Sequence, residues 1–189
     1  LKCLTDRIWA LNENKLTDFL NSKIMTKHQV FFSFEYNKDY WRASQVRSMG
    51  KVSGDSTFSD NDWEEVRQKT KKSIERWIDK QLAMRKCLLV LVGSTTSTRE
   101  WVRYEIEKAY ELKKGIVGIY IHGLKDKEGR QTSKGLNPFD YVLTNNREKL
   151  SKYVKCIDPL YKTSIYVYHA IETHIGDWIQ NAVDDAGKY

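Results

Sequence analysis

Cys87-Leu-Leu-Val-Leu-Val92 is six apolar residues in succession, with no polar member to turn toward water. A strand with one wet face alternates in character. An unbroken run of this length marks a strand covered on both faces, which is the habit of parallel sheets. It is also far too short to cross a bilayer, where a helix needs about 20 residues. The run therefore demands helices above and below it, and the flanking sequence supplies them.

Upstream, Asn61 and Glu64 form a capping-box pattern that predicts a helix to about Gln81. Its apolar face is Trp63, Val66, Ile74, Trp77, Ile78 and Leu82, at steps of three and four. Downstream, Ser97 with Glu100 makes a second capping box. The helix it opens, about 99–114, would bury Val102, Ile106, Ala109 and Tyr110 and stop at Gly115 in the position after the cap. Gln29-Val-Phe-Phe-Ser-Phe34 and Ile116-Val-Gly-Ile-Tyr-Ile121 are rich in β-branched and aromatic residues and predict two further strands. Residues 37–49 predict a helix whose apolar points are Trp41, Val46 and Met49, and residues 50–60 a Gly/Ser/Asp loop. Residues 165–168 read as a last strand, before a closing helix with Ile171, Ile175, Trp178, Ile179 and Ala182 on one face. Strands alternating with amphipathic helices imply an α/β fold, a parallel sheet with helices on both faces. Such sheets place ligands beyond the carboxyl ends of their strands, so the loops after Phe34, Val92 and Ile121 are where chemistry is expected.

The 189 residues suffice for one domain with an extension: residues 1–28 as an N-terminal helical segment and 29–189 as the domain. Residues 1–28 carry an imperfect amphipathic pattern through Ile8, Trp9, Leu11, Leu16, Phe19 and Leu20. Two readings stay open for them: Met25 as the natural start, or a genuine helix packed on the domain or on a partner. A chain that is 40% hydrophobic and 30% charged is an ordinary globular one. Cys3, Cys87 and Cys156 lack any C-x-x-C pairing, which argues against a zinc site or a secreted disulfide framework and suits the cytoplasm. No signal-peptide layout opens the sequence. The net charge of +7 is spread among acidic residues, with no aromatic-interleaved basic stripe. That distribution predicts no nucleic acid and no membrane as partner, and leaves room for an anionic small molecule such as a dinucleotide.

No G-x-G-x-x-G follows a strand and no phosphate-loop motif occurs, so neither standard nucleotide cradle is supported. The four His residues are scattered and no metal is expected. What is present is Val30-Phe-Phe-Ser-Phe-Glu-Tyr-Asn-Lys-Asp39 and Gly93-Ser-Thr-Thr-Ser-Thr-Arg-Glu-Trp-Val-Arg-Tyr-Glu105. Further on come His122-Gly-Leu-Lys-Asp-Lys-Glu-Gly129 and Lys134-Gly-Leu-Asn-Pro-Phe-Asp140. The first resembles the opening strand of TIR domains, and the second resembles their Ser…Trp-x-x-x-Glu motif. With the third and fourth, over about residues 29–141 and more weakly the closing helix, the chain resembles the TIR-like ThsB proteins of the Thoeris antiphage system. The tail beyond about Tyr141 and the N-terminal segment depart from that pattern.

The resemblance implies a flavodoxin-like TIR fold and cleavage of NAD at its N-glycosyl bond, with Glu105 as the catalytic residue. NAD would be the substrate, and no cofactor is implied. Ser33, Phe34, Glu35 and Trp101 would border the dinucleotide, Trp101 more by packing than by contact. Phe58 and Trp63 are weaker candidates, and Arg99 and Arg103 are either pyrophosphate contacts or solvated helix charges. The product would be a cyclic ADP-ribose-type signal, made after a phage-derived trigger and read by a separate Thoeris effector. A homo-oligomer is compatible with all of this. Two rivals stay open: a non-catalytic assembly module, and an enzyme acting on another nucleotide.

Elementary chemistry is consistent with what the resemblance implies. Losing nicotinamide leaves an oxocarbenium-like ribose, and one carboxylate facing that charge stabilises the transition state more than the ground state. Nicotinamide departs neutral from a cationic ring and needs no acid. Glu105 is expected near the start of its helix, at an exposed pocket edge, with the helix dipole favouring its ionised form.

Overall fold

The computed structural model describes residues 29–50, 53–54 and 68–188. In chain order it contains β1 (Gln29–Ser33), α1 (Tyr36–Arg47), β2 (Ser53–Gly54), α2 (Lys71–Ala83), β3 (Cys87–Val92), α3 (Glu100–Glu111), β4 (Gly115–Tyr120), β5 (Cys156–Ile157) and α4 (Ser164–Asp184). The expectations for residues 1–28, Phe58, Asn61, Trp63 and most of the 50–60 loop lie outside the described residues.

The five strands are all parallel, in the order β2-β1-β3-β4-β5. That is the flavodoxin-like order, with its switch point between β1 and β3. Strand β3 is central, buried at every residue, and paired along its length with β4 from Cys87 opposite Gly115 to Val92 opposite Tyr120. Its side chains alternate between two cores. Leu88, Val90 and Val92 pack with Ile74, Ile78 and Leu82 of α2 and Val102, Ile106 and Ala109 of α3. Cys87, Leu89 and Leu91 pack with Ala43 and Val46 of α1 and Val167, Ile171, Ile175 and Ile179 of α4. The apolar run of β3 is explained by this double covering.

Several boundaries differ from expectation, each for a local reason. The helix expected from Asn61 to Gln81 is not continuous, because residues 68–70 form a turn and Thr70 adopts an extended N-cap conformation before Lys71. Ser97 does not cap α3. It lies in a short 3-10 turn, Thr96–Thr98, and Arg99 takes the N-cap position. The same helix ends at Glu111 rather than 114. Its left-handed residue is Lys113, with φ 52°, not Gly115. Lys114 N donates to Ala109 O and Lys113 N to Tyr110 O, the two bonds of a Schellman ending, so Gly115 is released to begin β4. Residues 165–168 lie in the first turns of α4 and not in a strand: Val167 is buried in the core and Tyr168 packs against it half-buried, while Ile165 and Tyr166 are exposed. The last strand is the two-residue β5. On α1, Trp41 is exposed whereas Asp39 and Arg42 are buried.

Candidate active site at the β1–β3 switch point

Strand β1 ends at Ser33 and β3 at Val92, so their carboxyl ends open side by side where the strand order reverses. From Val92 the chain turns through Gly93, whose N–H donates to the buried Thr96 hydroxyl at 2.9 Å, and enters α3. Glu105 lies in the second turn of α3 and points back to β1. Ser33 Oγ donates to Glu105 Oε2 at 2.5 Å. Both side chains are buried, Ser33 1% exposed and Glu105 5%.

This corrects the expected environment of Glu105. It is not at an exposed edge, and it sits beyond the first helical turn, where the dipole has largely faded. Burial pushes its carboxyl up to about 8, and the Ser33 hydrogen bond pulls in the opposite direction. Nor is it paired with Lys108, which meets Asp79 and Glu111 instead.

Glu35 lies one step further out. Its buried carboxylate accepts from the Thr95 hydroxyl and pairs with Arg99 at 2.6 Å. Arg99 is thus engaged by the protein, while Arg103 pairs with Glu107 on the exposed face of α3. Phe34 and Trp101 are not brought together. Phe34 packs with the α1–α4 core and stacks on Tyr36 at 6.3 Å. Trp101 packs with the α2–α3 core, edge-on to Tyr104 at 6.1 Å. It lies one turn before Glu105 on α3.

Two charged residues, Asp39 and Arg42, lie buried beneath the site, although by residue type alone each reads as surface. Asp39 is 1% exposed, and its carboxylate occupies the space where a Cβ on Gly93 would lie, 1.9 Å from Oδ2. Burial raises its pKa, and Arg42, at 3.1 Å, is the main opposing influence. Gly135 completes the layer. A Cβ there would stand 2.1 Å from Gly93 O, so the segment carrying Lys134 crosses directly over the loop after β3. The atoms nearest that Cβ, Gly93 O and Ser94 C and O, are all backbone. Gly135→Ala is therefore expected to cost about 1–3 kcal/mol of stability, read as a lower midpoint in urea unfolding; an unchanged midpoint would show that the crossing has slack.

A cleft of about 590 Å³ opens beside the site, between α1 and residues 126–132, and reaches the switch point at Ser94. Glu105 does not line it. Burial pushes the Cys87 and Cys156 thiols up to about 12, so neither supplies a thiolate nucleophile at neutral pH. Among the described residues no cluster of three His, Cys, Asp or Glu is placed to hold a metal. None of the described helices is long and apolar enough to cross a membrane.

A 2-1-3-4-5 parallel sheet, with a carboxylate on the helix after its central strand aimed at the switch point, defines a TIR-like α/β domain. Residues 31–126 match the family model described as Thoeris protein ThsB, TIR-like domain. The chain belongs to that family. The matched stretch holds Ser33, Glu35, Asp39 and Glu105 and ends before the 134–140 segment. The chain is also similar to a Bacillus cereus (strain MSX-D12) protein named "Putative cyclic ADP-D-ribose synthase ThsB1". The two are 40% identical over 124 residues, covering 60% of this chain and 62% of the relative.

Proposed function

We propose that the chain cleaves the nicotinamide–ribose bond of NAD with Glu105 as the catalytic carboxylate and releases a cyclic ADP-ribose-type product. The observation that carries this reading is the buried Ser33–Glu105 pair at the switch point. The name of the Bacillus cereus relative supports the class of product.

The environment of Glu105 suits a cationic substrate. Burial by itself favours the neutral acid. A positively charged nicotinamide ring arriving within a few ångströms favours the carboxylate. Its charge is then set against the developing oxocarbenium in a site where water screens little, and there such a contact is worth most. After nicotinamide leaves, the electrophilic ribose carbon is open to a nucleophile. An adenine nitrogen of the same molecule gives a cyclic product, and water gives ADP-ribose.

The product would act as a diffusible signal to a separate Thoeris effector, produced after a phage-derived trigger. Purified protein incubated with NAD is expected to release nicotinamide and a product 18 mass units lighter than ADP-ribose, the difference being one water. Filtered lysate from phage-infected cells expressing the chain is expected to switch on a Thoeris effector. Inert lysate from cells whose NAD has collapsed would replace signalling with plain hydrolysis.

A further inference from the structure

We propose that Ser33 is a positioning residue rather than a substrate contact: its hydroxyl, held at the carboxyl end of β1, orients Glu105 and leaves Oε1 to face the ribose. This rests on the reading of Glu105 as the catalytic carboxylate. The hydrogen bond joins residues 72 apart in sequence, from the edge of the switch point to the helix after β3. Ser33 is 1% exposed, which leaves its hydroxyl little surface to offer a ligand and makes Glu105 its partner. Only Oε2 of Glu105 is engaged among the described residues. The sheet fixes the backbone of Ser33, and its Oγ turns about a single bond, whereas the Glu105 carboxylate has three rotatable bonds. The fixed donor therefore selects the rotamer of the mobile acceptor.

The charges on the elements around Glu105 are committed elsewhere. After β1, Glu35 is paired with Arg99. On α2 and α3, Lys71 meets Glu100, Lys108 meets Asp79 and Glu111, and Tyr104 donates to Asp79. On β4, Tyr120 contacts Cys156, and in the segment beyond it Asp140 accepts from Ser151. Burial and the Ser33 hydroxyl are the two influences on the Glu105 proton. A hydrogen bond to the charged form favours that form, so removing the hydroxyl should raise the carboxyl further.

The experiment titrates Glu105 by carbon NMR of protein labelled at Glu carboxyls, with the resonance assigned by its loss in Glu105→Gln. In Ser33→Ala the titration is expected to move up by about one to two pH units. Ser33→Thr, which keeps the hydroxyl, should titrate like the wild type. The pH profile of nicotinamide release should move with the NMR titration, so that Ser33→Ala loses roughly ten-fold or more at neutral pH and recovers in alkali. Ser33→Cys, nearly the same size with a weak donor, should fall between and guards against a folding defect in the alanine variant. An unmoved titration in Ser33→Ala, or a rate reduced equally at every pH, overturns the inference. A wild type that titrates as described but leaves NAD intact counts against the proposed function and not against the Ser33–Glu105 bond.

Discussion

Replacing Glu105 with Gln is expected to remove nicotinamide release almost completely and to make the protein more stable at pH 8. Gln keeps the shape of the side chain and can still accept from Ser33, but it carries no charge to set against the oxocarbenium. Loss of one preorganised electrostatic contact costs about 3 kcal/mol of transition-state stabilisation, a hundred- to a thousand-fold in rate. An initial-rate assay at saturating NAD reads it. Product formation within ten-fold of wild type would remove Glu105 from the mechanism.

The stability half follows from burial. The folded-state pKa of Glu105 is raised to about 8 from an ordinary 4.5. Below pH 4.5 both folded and unfolded chains hold the proton, and the residue is indifferent to pH. Between 4.5 and 8 the unfolded chain releases a proton that the folded chain retains, so folding stability falls as pH rises, and above 8 the loss is complete. Each pH unit of that window is worth about 1.4 kcal/mol, which makes the full effect a few kcal/mol. Glu105→Gln has no proton to release. Its advantage over wild type should be small at pH 5 and grow to several degrees of melting temperature at pH 8. Parallel melting curves of the two proteins across that range would show Glu105 to be solvated, contrary to its 5% exposure.

The legible parts of the fold were those governed by periodicity. The β3 run, the α3 face of Val102, Ile106 and Ala109, and the α4 face of Ile171, Ile175 and Ile179 all sit where apolar spacing places them. Turn chemistry was less legible. Lys113 closes α3 in the left-handed conformation although Gly115 stands two residues away, because β4 needs Gly115 as its first residue. β5 left no trace, since two residues cannot show a period. Residues 165–168 have the composition of a strand and lie in a helix, where packing of Val167 against the sheet overrides local preference. For the candidate site, the resemblance pointed to Glu105 and the end of the first strand to Ser33, but nothing in the sequence showed that they touch. Their burial, and that of Asp39 and Arg42, depends on contacts across the sheet that no local pattern encodes.

Arg42→Leu is the substitution expected to damage the fold most. One turn after Asp39 on α1, Arg42 is 4% exposed and uses each guanidinium nitrogen. Its Nε donates to Leu124 O and its Nη2 to Arg130 O, both at 2.9 Å. Its Nη1 meets Asp39 Oδ1 at 3.1 Å, and Asp126 lies 3.4 Å away. The side chain therefore ties α1 to the segment after β4 and neutralises a carboxylate buried against Gly93. Removing one partner of such an arrangement typically costs about 3–5 kcal/mol, because the remaining groups are left buried and unpaired. Asp39 limits the loss by taking up a proton. Its folded pKa, already raised by burial, rises further without Arg42, so stability falls as pH climbs from 3.8 through that raised value. Urea unfolding of Arg42→Leu should accordingly show a smaller deficit at pH 5 than at pH 8. Adding Asp39→Asn should recover the pH-dependent part and leave the cost of Leu124 O, which loses its donor, whereas Arg130 O keeps the Asp126 N–H. A deficit that is below 1 kcal/mol, or equal at both pH values, would mean that Asp39 and Arg42 are hydrated and that the network does not hold the floor of the site.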